Sequence, residues 1–142
     1  MIEVSNPSGR LITFRVLSPV EDGNAEAAAT QLRGAIGRLN GQIIVCTDLT
    51  DARTFAPATT ERFVQTMKAD NPRLERSAIL LGPESPTLLL QLERMVRESN
   101  HPARRTFRDP AELAEWLRPV LSADEQRALE AFLRSAAVSA TE

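Results

Sequence analysis

The chain has one cysteine, one histidine and few aromatic residues, and each shortage closes off a class of chemistry. A single thiol cannot form an internal disulfide. Cys46 lies in the most apolar stretch of the sequence, where it reads as a small buried hydrophobe and not as a nucleophile. His101, between Asn100 and Pro102, has no second histidine or cysteine nearby, so it reads as a surface imidazole and no metal site is expected. No glycine-rich phosphate loop of the GxGxxG or GxxxxGK[ST] type occurs, and Ser8, Ser85 and Ser122 sit in turn or cap positions without a histidine partner. No catalytic set and no cofactor are expected from this sequence. A long hydrophobic run is missing too: nothing approaches the ~20 apolar residues of a membrane span. The opening MIEVSNPSGR lacks the basic-then-apolar pattern of a signal peptide. The expectation is a cytoplasmic protein without a transmembrane segment. With a formal charge of −2, the chain as a whole does not attract nucleic acid or anionic membranes.

What is present is an α/β pattern around residues 42–60, QIIVCTDLTDARTFAPATT. Residues 43–46 are a continuous run of β-formers between Asn40-Gly41 and Asp48, the signature of a strand covered on both faces. From Thr47 the segment turns polar until Pro57 opens a helix. Sites in open α/β sheets gather at the carboxyl ends of strands, which points to residues 48–60.

Before this stretch, residues 2–5 and 10–17 read as an antiparallel hairpin turned by Asn6-Pro7-Ser8-Gly9. Residues 24–39 read as a helix with Asn24 as cap. Its Ala25 and Ala28 share a stripe with Leu32, and small residues there allow close approach to a sheet. After it, a helix over 57–68 turns Phe63 and Met67 inward, and residues 77–81 form a second buried strand. A helix from Ser85-Pro86 to Ser99 carries Leu88, Leu92 and Met95, and residues 104–107 form a short edge strand. Asp109-Pro110-Ala111-Glu112 and Ser122-Ala123-Asp124-Glu125 are two helix starts. The whole predicts a mixed sheet with an N-terminal antiparallel hairpin and helices packed on it. The division is a domain over 1–121 and a C-terminal helix and frayed tail over 122–142. That helix turns Leu129, Phe132 and Leu133 to one face, to be covered by the chain itself or by a second copy in a homodimer.

Two groups of residues are candidates for function. Around the central strand, Asp48, Asp51, Arg53, Phe55, Thr59, Thr60 and Arg62 form a candidate partner-binding surface. Asp48 and Asp51 also suit hydrogen bonds to the backbone of the turn. Further on, Arg94, Arg97, Arg104, Arg105 and Arg108 concentrate positive charge, a solvated face or a candidate anion site. Aromatics do not interleave with them, which argues against single-stranded nucleic acid.

The element order and three motifs resemble the STAS fold, in particular its SpoIIAA-like branch, which is sometimes grouped with lipid-binding Sec14-type domains. The motifs are IIVCTDLTDARTF, SAILLG and RRTFRDPAELAEWL, spread over most of residues 1–118. The resemblance implies a non-enzymatic bacterial signalling domain that binds a protein partner, with a small apolar ligand or lipid as the alternative cargo. Anti-sigma-factor antagonists of that family carry a phosphorylated serine where the helix after the central strand begins, in a motif close to D-S-S-G. This chain has Pro57-Ala58-Thr59-Thr60 there, without the acid or the glycine, so Thr59 and Thr60 are the positions that hold a hydroxyl.

Overall fold

The computed structural model describes residues 1–21, 23–83 and 85–141, with side chains described as far as residue 135. Five strands form one mixed sheet in the order β1-β2-β3-β4-β5: Ile2–Ser8, Leu11–Val16, Ile43–Leu49, Leu74–Leu81 and Arg104–Phe107. β1 runs antiparallel to β2, and every later pair is parallel. The crossovers are made by α1 (Asn24–Gly37), α2 (Pro57–Asp70) and α3 (Pro86–Ser99). Each moves the chain one strand further in the same direction. Right-handed crossovers of that kind place all three helices on one face of the sheet. α4 (Pro110–Leu117) and α5 (Ala123–Thr141) cover the other.

Strand alternation sorts the core into two layers. Leu11, Ile44, Cys46, Ala78, Leu80 and Phe107 point to α4 and α5, where they meet Leu113, Leu117, Leu129 and Leu133. Ile12, Val16, Ile43, Val45, Leu49, Ile79 and Leu81 point to α1, α2 and α3. β3 is the middle strand, as its uninterrupted apolar run requires, and Val45 and Cys46 pair in parallel with Ser77 and Ala78.

Several local expectations change: Asn24 is the first residue of α1 and Gly23 its cap, and β4 begins at Leu74 and not at residue 77. β1 extends through Ser8, so the turn is Gly9-Arg10 and not residues 6–9. The register slips between Ser5 and Ser8, which lets Pro7 sit in a bulge on an edge strand where no ladder donor is needed. Asn6 Nδ2 steadies that bulge by donating to the carbonyls of Gly9 and Leu11. β3 likewise runs on to Leu49, which puts Asp48 inside the strand. The backbone of α5 is helical to Thr141, and the tail expected to fray over residues 135–142 has its side chains from 136 onward outside the described residues.

α5 finds its cover on the chain's own sheet. Its start is a capping box: Ser122 N–H donates to Glu125 Oε1 at 2.8 Å and Glu125 N–H donates to Ser122 Oγ at 3.2 Å. The other carboxylate oxygen of Glu125 accepts the backbone N–H of Arg10 at 2.7 Å, which joins the helix to the β1–β2 turn. Gly9 lies so close that a side chain there would run into this carboxylate. Among the described residues, no helix is long and apolar enough to cross a membrane.

Candidate functional site

At the carboxyl end of β3 the seven candidate residues separate into buried braces and an exposed loop. Asp48 is 2% exposed and faces α5. Its Oδ2 accepts from Arg15 Nε, directly across the β2–β3 ladder, at 2.9 Å. Its Oδ1 accepts the backbone N–H and the hydroxyl of Thr50 at 2.9 and 2.7 Å. Arg15 continues to α5, donating to the Phe132 carbonyl at 2.8 Å and lying 4.4 Å from the centre of the Phe132 ring. The pair is sealed under a helix and orders the chain around it. Cys46, on the same face, has its thiol pKa raised by burial and by Asp48, with Arg15 opposing.

The loop that follows is pinned along its length. Ala52 N–H closes a turn on the Leu49 carbonyl at 3.0 Å. Arg53 N–H donates to Ser18 Oγ at 3.1 Å. Phe55 is buried, and Gln91 of α3 grips its backbone twice, accepting from its N–H at 2.9 Å and donating to its carbonyl at 2.8 Å. The Phe55 ring meets Phe63 edge-on at 5.1 Å. Gly82 belongs to the same corner, because a side chain there would stand 3.0 Å from the Thr50 carbonyl oxygen. Between these anchors Asp51, Arg53, Thr54, Ala56, Pro57 and Ala58 are exposed. Beside them an open groove of about 420 Å³ runs along Ser18, Pro19, Val20, residues 53–56 and Thr59.

Thr59 and Thr60 part company in the first turn of α2. Thr59 borders the groove, whereas Thr60 Oγ1 is buried without a described hydrogen-bond partner. Arg62 turns toward α1 and pairs with Glu26 at 2.8 Å. Of the seven candidates, the structure brings Arg53, Phe55 and Thr59 to one groove. Asp51 stands exposed in the loop, Asp48 and Thr60 lie inside, and Arg62 joins two helices.

The arginine run also divides. Arg94 pairs with Glu98 along α3 at 3.0 Å, and Arg97 and Arg108 are exposed. Arg104 and Arg105 are neighbours in a strand and therefore point to opposite faces. Arg105 stacks over Phe107 and Trp116 at 5.1 and 5.3 Å. Arg104 goes inward, 6% exposed, with Nη1 donating to Asn71 Oδ1 at 3.0 Å and Nη2 to the Met67 carbonyl at 3.4 Å. Only Arg97, Arg104 and Arg105 among the five border a common hollow, shared with Glu93, Val96 and Thr106. His101, expected at the surface, is a half-buried brace: Nδ1 accepts from Ala103 N–H at 3.0 Å, and Nε2 lies 3.0 Å from the Leu74 carbonyl.

The alternative reading, a carrier of a small apolar ligand or lipid, expects a pocket between the sheet and α2 and α3, behind Phe55, Phe63 and Met67. Between the sheet and α1, α2 and α3 lies an apolar cavity of about 110 Å³, walled by Phe14, Val45, Phe55, Phe63, Leu92 and Met95. Ala25, Ala28 and Ala29 of α1 border it, so small side chains read as permitting close packing leave space instead. Asp70 and Arg104 are the charged residues of its lining. Burial pushes the Asp70 carboxyl up to about 6, against the pull of Arg104 and Arg33. Burial lowers the Arg104 guanidinium to about 10, with Asp70 opposing. The alternation Arg104-Arg105-Thr106-Phe107, with Phe107 on the α4 face, was the available sign that Arg104 points the other way.

Set against known proteins, the chain matches no family model and no curated sequence.

Proposed function

We propose that this chain is a non-enzymatic regulatory domain of the STAS, SpoIIAA-like kind, and that it docks a protein partner with the loop of residues 51–56, the start of α2 and the groove beside them. The observation that carries this reading is an exposed loop on fixed anchors. Ser18 and Gln91 hold its backbone while Asp51, Arg53 and Thr54 stand free in solvent. A loop already ordered before binding loses little conformational entropy on docking, which favours specific association. Thr59, beside the groove, is the better placed of the two threonines for a phosphate that would interrupt docking. The alternative is carriage of a small apolar ligand or lipid, and a lipid calls for a pocket of several hundred Å³. The cavity of about 110 Å³ speaks against a lipid cargo.

The test is quantitative co-purification from the source organism with tagged wild type, Arg53→Glu and, as a control away from the loop, Arg94→Glu. Recovery of the partner should fall at least tenfold with Arg53→Glu alone. Equal recovery from all three chains overturns the reading.

A further inference from the structure

We propose that the cavity between the sheet and α1–α3 is a binding site for one small apolar carboxylic acid, its hydrocarbon part among the aromatic and aliphatic walls and its carboxylate at Arg104. The class of ligand follows from size, lining and charge.

Size comes first. A cavity of about 110 Å³ is of the order of the ~150 Å³ apolar cavity that stays dry and admits benzene. It takes a single ring or a branched chain of five or six carbons, and excludes an acyl lipid. Next is the wall. Phe14, Val45, Phe55, Phe63, Leu92 and Met95 offer no polar atom, and the nearby polar groups are Thr47, Thr66, Asp70, Ser77 and Arg104. The half-buried Ala25 of α1 and Phe63, Thr66 and Met67 of α2 mark where the space reaches solvent between those helices.

Charge decides the head group. Arg104 stands on β5 at one edge of the sheet, while Ile2 and Phe14 line the cavity from the β1–β2 edge, so the cation sits to one side of an apolar space. A guanidinium has five N–H donors, and the hydrogen bonds described for Arg104 go to Asn71 and Met67, both neutral acceptors. Among the described residues Arg104 forms no salt bridge, although it is 6% exposed. Asp70 supports the Arg104 charge without forming a salt bridge to it, so the guanidinium keeps donors for an arriving carboxylate, which its planar fork matches in geometry. Asp70 is the one acid in the lining, so a carboxylate ligand is best received when Asp70 is protonated and able to donate to it.

The experiment is calorimetric titration of the full chain with 4-methylpentanoate and with phenylacetate, using 4-methylpentanamide and phenylacetamide as uncharged controls of the same shape. At least one acid should bind saturably at one site per chain, and its amide at least tenfold more weakly. Arg104→Met should bring acid and amide to the same affinity. Because that variant removes a buried group and risks misfolding, Ala29→Leu provides the second arm: it fills the cavity from α1, should keep or raise the melting temperature, and should abolish binding of the acid. Absence of saturable binding for both acids overturns the proposal. So does equal binding of acid and amide, and so does unchanged binding in a folded Ala29→Leu chain.

Discussion

Replacing Asp48 by Asn tests whether the end of β3 is sealed under α5 or open to a partner. Asn keeps one oxygen, which can stay with Thr50, but turns an amide N–H₂ toward Arg15 Nε, so donor faces donor and the ion pair is lost. The side chains of Arg15 and Asp48 are 14% and 3% exposed, so little water compensates. Breaking a buried pair by removing one partner costs about 3–5 kcal/mol. Arg15 keeps the Phe132 carbonyl and ring, which places the cost at the lower end, about 3 kcal/mol. A domain of 142 residues holds roughly 7–20 kcal/mol in all, so this is a substantial fraction. In equilibrium urea unfolding with m near ~2 kcal/mol per M, the midpoint should fall by about 1.5 M at unchanged slope. The double variant Asp48→Leu, Arg15→Met should recover part of the loss, since it leaves no unpaired charge, while the Thr50 N–H and hydroxyl and the Phe132 carbonyl still lose their partners. A loss under about 1 kcal/mol for Asp48→Asn is what a solvated surface pair gives, and would refute the sealed arrangement.

Glu125→Ala removes the acceptor for Ser122 and Arg10 and should cost about 2–4 kcal/mol, read as a lowered melting temperature. Burial alone would raise the Glu125 carboxyl, but the N–H groups of Ser122 and Arg10 outweigh it and hold the pKa below its ordinary value. Its contribution is therefore complete above the unfolded value and lost as pH falls through the folded one, so the deficit of Glu125→Gln should shrink in acid. Asp70 has the opposite sign: with its pKa raised from 3.8 to about 6, it favours folding fully below 3.8 and loses that contribution as pH rises through 6. Asp70→Asn should be more stable than wild type at pH 7.5, by about 1 kcal/mol once screening at this half-open position is allowed for, with the gap closing toward pH 4. Urea midpoints at the two pH values check this, and a constant gap would contradict it.

Much of the fold was legible because hydrophobic period alone decides it. Residues 43–46 are apolar at every position, which only a strand covered on both faces tolerates, and Leu88, Leu92 and Met95 repeat at helical spacing. The extension of β3 through Asp48 was not legible. A carboxylate in a central strand looks like a chain leaving the sheet, and its counter-ion, Arg15, is 33 positions away. The same limit left open whether a pocket exists behind Phe55, Phe63 and Met67, and how large it is. Ala25, Ala28 and Ala29 give the same pattern whether a sheet closes on them or leaves a void, and the outcome depends on Phe14, Phe63 and Met95 from three other elements. Candidate residues followed suit: Asp51 and Arg53 were exposed where a loop was expected, while Asp48 and Arg104 acquired their places from tertiary partners.

Photo-crosslinking in the source organism shows whether the loop after β3 docks a protein, as proposed. A crosslinking amino acid would replace Thr54 in the exposed loop or, in a second chain, Glu130 on the exposed side of α5. One dominant adduct of defined mass is expected from position 54, none of that mass from position 130, and loss of the adduct when Arg53→Glu is added. Adducts of the same mass from both positions, or none from position 54, would contradict the proposal.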